Sequence, residues 1–162
     1  MTPRRTTFDT LSEDGRSALM SKIRSKNTKP ELILRRALFR DGLRYRLHRR
    51  DLPGTPDICI EKYKLIVDVR GCFWHGHEEC RDGHTPRKNT KFWEAKLKRN
   101  VERDQENTTK LKALGYSVFV VWACGLTSQK AVSGELHPIY DYLNSAYGLG
   151  VFAIWNRDSR MS

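Results

Sequence analysis

The apolar positions near the start of the chain recur at helical spacing. Thr28 followed three residues later by Glu31 predicts a helix start, because each side chain can bond the backbone of the other. Pro30 agrees, since proline is tolerated in a first turn. The apolar residues behind this start predict a helix that ends near Gly42; they are Leu32, Leu34, Leu38 and Phe39. A short amphipathic helix is predicted before it, over residues 12–23.

The middle of the chain changes to the period of a strand. Residues 44–48 alternate polar and apolar side chains, and the turn-forming sequence PGTP occupies residues 53–56. Two short apolar runs, 57–60 and 65–69, then predict a hairpin in a core sheet. The most apolar strand of the chain is predicted at residues 117–122.

Helical spacing returns between residues 90 and 114 and stops at Gly115, a residue suited to the left-handed conformation that ends many helices. A final helix is predicted at residues 135–147, and a last apolar segment at residues 151–155. Together these elements predict a mixed α/β fold in which helices flank a central sheet.

The length and charge of the chain narrow its class. The 162 residues are enough for one core and too few for two ordinary domains, so we expect a mobile basic arm at 1–10 and a single domain at 11–162. Thirty Lys and Arg against nineteen Asp and Glu give a net charge of +11, which favours a polyanionic partner, above all nucleic acid. Ribosome-associated and membrane-surface proteins are also basic, but no run of about 18 apolar residues and no signal-peptide pattern occurs. We expect a cytoplasmic protein.

The sequence GCFWHGHEEC, residues 71–80, concentrates soft metal ligands and large aromatics in ten positions. In a reducing compartment, cysteines favour thiols or metal sites over disulfides. A structural zinc site of the Cys₃His type is therefore predicted from Cys72, His77, Cys80 and Cys124. Spacing leaves the histidine open, because His75 and His84 also lie close enough. Cys59 has apolar neighbours and is expected in the core.

Two acidic positions in the predicted hairpin are candidate ligands for Mg²⁺. Asp57 follows Pro56 at the start of a strand, where it can present an oxygen to a cation or simply stabilise the turn. Strand alternation projects Asp68 and Arg70 from one face of the sheet. The combination resembles the PD-(D/E)xK pattern of restriction-type nucleases, with Arg in place of Lys. Asp68 is either a second Mg²⁺ ligand or a partner that neutralises Arg70.

Two further groups of residues carry both a functional and a structural interpretation. Asn100 and Asp104 are four residues apart on the long helix, so both can reach one site, although such a pair can also lie exposed. Phe73 and Trp74 are adjacent in a glycine-flanked loop. They either pack in the core or insert into DNA as wedges that unstack a base step.

Five motifs, in this order and at these intervals, carry a family resemblance across about residues 20–126. They are TPDICI, GCFWHGHEEC, KFW at 91–93, NVERD at 100–104 and VWAC at 121–124. The chain resembles the very short patch repair (Vsr) mismatch endonucleases. The resemblance implies a restriction-endonuclease-like fold, one structural zinc, and nicking of one DNA strand 5′ of the thymine in a T:G mismatch left by deamination of 5-methylcytosine. Double-stranded DNA is the implied substrate of a monomer, and mismatch-repair proteins are candidate partners.

The resemblance also implies roles for individual residues. Asp57 and the backbone carbonyl of Val69 would bind catalytic Mg²⁺, and His75 would be the base or the group that orients water. Asp104 would bind His75, and Asn100 and Glu31 would complete the site. Zinc would take the Cys₃His set that contains His77. The residues expected to enter the DNA stack are Phe73, Trp74 and Trp93.

Three alternatives accompany this interpretation. Asp68 and Arg70 depart from the family pattern, so a nicking nuclease with another DNA substrate is one alternative. A noncatalytic zinc-stabilised DNA-binding module is the second, although it has no use for Asp57, His75 and Asp104 together. A zinc deaminase would combine zinc with nucleic acid, but it needs an H-x-E followed by P-C-x-x-C, which this sequence lacks.

Overall fold

The computed structural model describes residues 26–148 apart from 79, 81, 82, 84 and 86–88. The predictions for residues 1–10, 12–23 and 151–155 lie outside the described residues. Three α-helices and a four-stranded sheet form the described part of the fold. They run, in chain order, α1 (Lys29–Arg40), β1 (Arg46–Leu47), β2 (Ile58–Ile60), β3 (Leu65–Arg70), α2 (Thr90–Ala113), β4 (Ser117–Trp122) and α3 (Gln129–Tyr147). The mixed α/β class predicted from the sequence is confirmed.

Helix α1 begins where the capping pattern predicts. The Thr28 side chain accepts from the backbone N–H of Glu31, and the Glu31 side chain accepts in return from the backbone N–H of Thr28. The helix ends at Arg40, two residues before Gly42, whose φ of +85° suits glycine. Leu34 and Leu38 are fully buried, so one stripe of α1 faces the core.

The sheet has the order β1-β2-β3-β4 and contains both strand directions. The predicted hairpin is confirmed, since β2 pairs antiparallel with β3 through the short helical turn Glu61–Tyr63. Lys64 completes the connection with a φ of +45°. Strand β4 pairs parallel with β3, from Leu65 opposite Ser117 to Arg70 opposite Trp122. The carboxyl ends of β3 and β4 therefore meet at one edge of the sheet.

The two faces of the sheet bury different helices. Ile58 and Val67 point to the face that packs against Leu34 of α1 and Leu136 of α3. The alternate residue Cys59 points to the other face, where it packs in a cluster with Ile66, Leu111 of α2, Leu52 and Tyr116. The sheet thus lies between α1 and α3 on one side and α2 on the other. Cys59 lies in the core, as predicted.

The helices differ from the prediction in two respects. Helix α3 begins at Gln129, six residues before the predicted start, because Ser128 caps it by accepting from the Ala131 N–H. Pro138 lies inside this helix. Within the apolar series predicted at residues 90–114, Phe92 on α2 and Leu114 just after it are 57% and 55% exposed. No helix in the described part of the chain is both long and apolar enough to cross a membrane.

Candidate active site and metal cluster

A cleft of about 860 Å³ opens between α1, the sheet and α2. It collects acidic and polar residues that are far apart in the sequence. The predicted site residues that line it are Glu31, Asp57, Asp68, Val69, Trp74, His75, Asn100 and Asp104. Three cationic residues also line the cleft: Arg70, Lys96 and Arg103. The arrangement can therefore accept an anionic substrate beside a group of carboxylates.

Asp57 lies immediately before β2 and reaches across to β3. Its Oδ2 accepts from the backbone N–H of Val69 at 2.9 Å, so the structure brings together the two residues expected at the Mg²⁺ site. Burial raises the pKa of Asp57 to about 6, with the Val69 N–H opposing the rise and the charge of Asp68 adding to it. A bound cation would favour the ionised carboxylate that this environment disfavours.

Asp68 and Arg70 both line the cleft from β3. Burial raises the pKa of Asp68, and the positive charge of Arg70 opposes that rise. The negative charge of Asp104 adds to it. The charges of Arg70 and Asp104 therefore both act on Asp68, and the charge of Asp68 acts in turn on Asp57.

His75 and Asp104 form a pair across the cleft. The ring Nδ1 of His75 lies within hydrogen-bond distance of Asp104 Oδ2, which belongs to α2. Burial works against ionisation of Asp104, but the hydrogen bond and charge of His75 outweigh it and lower the pKa of Asp104. The carboxylate of Asp104 thus stays ionised beside the imidazole. It occupies the Nδ1 side of the ring and does not contact Nε2.

Asn100 and Glu31 bond mainly to protein groups at the rim of the cleft. Asn100 donates from Nδ2 to the backbone carbonyl of Trp74 at 3.0 Å, which ties the 71–80 loop to α2. Glu31 Oε1 accepts from the Thr28 hydroxyl at 2.9 Å, and its Oε2 accepts from the Asn27 N–H at 2.9 Å and from Arg35 at 2.8 Å. Glu31 is 4% exposed, so it is a nearly buried charge.

A second cluster lies at the edge of the sheet where β3 and β4 end. Ligand atoms of Cys72, His77, Cys80 and Cys124 all lie within 4.8 Å of one another. The histidine that joins this cluster is His77, whose Nδ1 lies 3.5 Å from Cys124 Sγ. His77 also stacks on Trp122 with a centroid distance of 4.1 Å and an interplanar angle of 3°. His75 belongs to the cleft instead, and His84 lies outside the described residues.

The thiols of this cluster crowd one another. Burial, together with contact from Cys72 and Cys80, raises the pKa of Cys124 to about 12. Burial likewise raises the pKa of Cys72. Thiols packed this closely retain their protons unless a cation neutralises them, and a cation that prefers sulfur and imidazole ligands matches the set. The four residues, hereafter the Cys₃His cluster, fit a tetrahedral metal site.

The three aromatic residues predicted to enter DNA lie together. Phe73 contacts Trp74 and Trp93 edge-on, with centroid distances of 5.0 and 5.2 Å. Trp93 is 6% exposed, whereas Phe73 and Trp74 are partly exposed. Phe92 packs edge-on against Trp93 at 5.3 Å and is exposed, so it extends the group toward solvent. We call Phe73, Trp74, Phe92 and Trp93 the aromatic cluster.

Several residues of the site were missed in the sequence. Lys96 lies one turn after Phe92 on α2, with its ammonium 5.4 Å from the ring centre of Trp74. Arg35 forms an ion pair with Glu31, and His48 faces Asp57. The i,i+4 spacing of Glu31 and Arg35 was a detectable signal for an ion pair on one helix face. His48 gave no signal, because its partners Arg35 and Asp57 lie in two other segments of the chain.

The described residues thus combine an α/β fold with a carboxylate and histidine cleft and, beside it, a Cys₃His cluster that could hold a metal ion. Residues 8–81 match the family described as DNA mismatch endonuclease Vsr. The chain is 46% identical over 133 residues to the type II nicking enzyme V.XorIIP of Xanthomonas oryzae pv. oryzae, an alignment that covers 82% of this chain and 97% of the relative.

Two further relatives agree with that assignment. The type II nicking enzyme V.NmeAIP of Neisseria meningitidis serogroup A is 46% identical, with 78% of this chain and 89% of the relative covered. The DNA mismatch endonuclease Vsr of Escherichia coli K12 is 36% identical, with 74% and 76% covered. The chain belongs to the Vsr family of DNA endonucleases.

Proposed function

We propose that this protein nicks one strand of duplex DNA by Mg²⁺-dependent hydrolysis, 5′ of the thymine in T:G mismatches that arise from deamination of 5-methylcytosine. The observation that carries the proposal is the His75–Asp104 pair, which opens into the same cleft as Asp57. The relatives, which are nicking enzymes and a mismatch endonuclease, support the reaction class. We further propose a cytoplasmic monomer whose single domain, residues 11–162, has a restriction-endonuclease-like fold and follows a basic arm at 1–10.

The acidic wall of the cleft fits Mg²⁺, which takes one or two protein carboxylates and keeps its other positions for water and phosphate oxygens. Asp57 and the backbone carbonyl of Val69 are the ligands we propose, with Asp68 as a further candidate. When bound, Mg²⁺ supplies positive charge that stabilises the phosphate as negative charge develops on it. The raised pKa of Asp57 supports this fit, because burial disfavours its charged carboxylate and a bound cation would favour that form.

The protein's own groups then move the proton and position the reactants. His75 accepts a proton from water at Nε2, because Asp104 occupies its Nδ1 side. Asp104 stabilises the resulting imidazolium, and Asn100 fixes the loop that carries His75 by binding the Trp74 carbonyl. Glu31 contributes a nearly buried negative charge at the other side of the cleft.

We propose Zn²⁺ for the Cys₃His cluster, in a structural role. Three thiols and one imidazole, all within 4.8 Å, make a closed four-ligand set with no position left for substrate. Phe73, Trp74 and His75 lie in the loop between Cys72 and His77. Zinc bound to the Cys₃His cluster would therefore hold this loop in place.

Mismatch recognition is assigned to the aromatic cluster. Insertion of a side chain between bases costs a few kcal/mol for unstacking, and that cost is least at a mismatch. Phe73 and Trp74 are partly exposed beside the cleft and can enter the base stack, and Trp93 supports or joins them.

A second candidate function is nicking of another distorted duplex, which Asp68 and Arg70 favour because they depart from the family pattern. Mismatch-repair proteins remain candidate partners.

The decisive experiment incubates labelled T:G-mismatched and matched duplexes with the protein, in Mg²⁺ or EDTA. A denaturing gel then reports which strand is cut and where. Nicking 5′ of the mismatched T in Mg²⁺ alone supports the proposal, and cutting of another distorted duplex in preference supports the second candidate. Asp57→Ala is expected to abolish nicking while duplex binding is retained.

Asp141→Ala is the matched control, since Asp141 is a 60% exposed aspartate on α3 outside the cleft. Duplex binding without nicking by the wild-type protein under every condition would instead support a noncatalytic zinc-stabilised module.

A further inference from the structure

A buried arginine lies between the acidic groups of the cleft. Arg35 is one turn after Glu31 on α1, and its Nη2 donates to Glu31 Oε2 at 2.8 Å. The two side chains are 8% and 5% exposed. The attraction within a buried ion pair is largely offset by the cost of removing both charges from water. Arg35 Nε also has no hydrogen-bond partner among the described residues, which adds to that cost. The ion pair alone therefore adds little net stability.

The same Arg35 nitrogen also contacts a histidine from another segment. Arg35 Nη2 lies 3.0 Å from Nε2 of His48, the residue after β1. A guanidinium group can only donate hydrogen bonds, so His48 Nε2 must accept and carries no proton. The proton of the neutral ring then resides on Nδ1. Arg35 thereby selects one of the two tautomers of His48.

The Nδ1 of His48 faces Asp57. It lies 3.8 Å from Asp57 Oδ1, while Oδ2 of the same carboxylate accepts from the Val69 N–H at 2.9 Å. One carboxylate oxygen thus bonds the backbone of β3, and the other faces the ring of His48, just outside the sheet. His48 adopts a φ of +47°, a region that non-glycine residues seldom occupy, and its backbone N–H bonds the Asp57 carbonyl at 3.3 Å. A strained backbone places this ring against Asp57.

We propose that Arg35 and His48 are positioning residues, which orient the Asp57 carboxylate for a divalent cation and connect it to Glu31. This inference rests on the proposed role of Asp57 as a metal ligand. Groups that contact a metal ligand without touching the metal fix the orientation of that ligand. Their loss typically costs about 10- to 100-fold in metal affinity. Arg35 does not contact Asp57 itself and acts on it by fixing the tautomer of His48.

The tautomer is tested directly by NMR of the histidine ring nitrogens in ¹⁵N-labelled zinc-loaded protein. The wild-type ring of His48 is expected to carry its proton on Nδ1. Arg35→Met removes the donor, and the ring is then expected to populate both tautomers. A wild-type His48 with its proton on Nε2 would overturn the proposal. Because Arg35→Met leaves Glu31 unpaired and can fail to fold, a second variant carries the metal test.

His48→Phe preserves the ring volume and removes both ring nitrogens. Its affinity for Mn²⁺, measured by electron paramagnetic resonance on DNA-free protein, is expected to fall about tenfold or more. The Mg²⁺ concentration for half-maximal nicking should rise by a similar factor, whereas duplex affinity without metal and the melting temperature should change little. His137→Phe is the matched control, because His137 is 56% exposed on α3 and bonds Asp141.

The same titration on Asp57→Ala separates this inference from the proposed function. If Asp57→Ala loses Mn²⁺ affinity and His48→Phe does not, the positioning role is wrong and the metal role of Asp57 stands. If Asp57→Ala itself retains full Mn²⁺ affinity, Asp57 is not the ligand, and both proposals are overturned.

Discussion

Asn100 and Asp104 lie one turn apart on α2, and both bond the same loop. Asn100 donates to the Trp74 carbonyl at 3.0 Å, and Asp104 binds the ring of the next residue, His75. One helix face therefore sets both the position of the loop backbone and the orientation of the imidazole.

Asp104→Asn is expected to slow nicking strongly with little change in structure. The amide keeps the size of the carboxylate but cannot stabilise an imidazolium, and general-base catalysis is worth about 10²- to 10⁴-fold. Single-turnover nicking rates should fall about 100-fold or more, while zinc content and melting temperature stay near wild type. Asp141→Asn alters the exposed Asp–His pair on α3 and should nick normally. An Asp104→Asn enzyme with wild-type rates would exclude His75 as the base.

Cys80→Ser and Cys124→Ser are expected to release about one equivalent of zinc and to lower the free energy of unfolding by several kcal/mol, since structural zinc binding is folding free energy. Elemental analysis and denaturant unfolding measure the two effects. Cys59→Ala is the matched control, because Cys59 is buried in the core away from the Cys₃His cluster and should retain the metal. Wild-type protein purified without zinc would contradict the assignment.

His75→Ala and His77→Ala should separate the two histidines of the 71–80 loop. His75→Ala should retain zinc and the fold while losing nicking, because His75 bonds Asp104 rather than the cysteines. His77→Ala should lose zinc and stability together. The opposite result in metal analysis would mean that the two roles are exchanged.

Trp74→Ala is expected to weaken binding to a T:G duplex more than binding to a matched duplex. Stacking of a base on an aromatic ring is worth roughly 1–3 kcal/mol, so the ratio of the two affinities should fall about tenfold. Fluorescence anisotropy with both duplexes measures the ratio. Phe39→Ala controls for loss of an aromatic, because Phe39 is 55% exposed on α1 outside the aromatic cluster. A lower melting temperature with an unchanged ratio would make Trp74 a core residue instead.

Lys96→Gln is expected to weaken binding to both duplexes about equally. An ammonium in the cleft that meets phosphate contributes through counterion release, so the slope of log affinity against log salt should flatten by about one. Affinities measured across a salt series check this. Lys110→Gln removes a lysine near the other end of α2, 60% exposed and paired with Glu106, and should leave the slope nearly unchanged. If Lys96→Gln weakened binding only to the mismatched duplex, Lys96 would act in mismatch recognition together with the aromatic cluster.

Local patterns predicted the elements of this fold well. The start of α1 depends on the reciprocal bonds of Thr28 and Glu31, so two residues three positions apart were sufficient to place it. The start of α3 was predicted six residues late, because the cap at Ser128 was not recognised in the sequence, although Val132 already lies at helical spacing from Leu136. Helical period also does not reveal which stripe faces the core: Phe92 and Trp93 belong to the same apolar series, yet Phe92 is exposed and Trp93 is buried.

Contacts between distant segments set the limit of prediction in the site. The motifs indicated His75, His77 and Asp104, but spacing alone left open which histidine joins the cysteines. That choice depends on the parallel pairing of β3 with β4, which brings Cys124 to the edge where Cys72 lies. The Arg35–His48–Asp57 contacts depend on the fold in the same way.

The loop between Cys72 and His77 has a consequence for the lengths that this chain can tolerate. Four residues, Phe73 to Gly76, separate the two members of the Cys₃His cluster. One inserted residue would add about 3.8 Å of backbone. With both ends anchored, that excess would displace the His75 ring from Asp104 and Trp74 from Asn100 together. Substitutions can alter this segment one property at a time, whereas a change in its length would disable cutting and recognition in a single step.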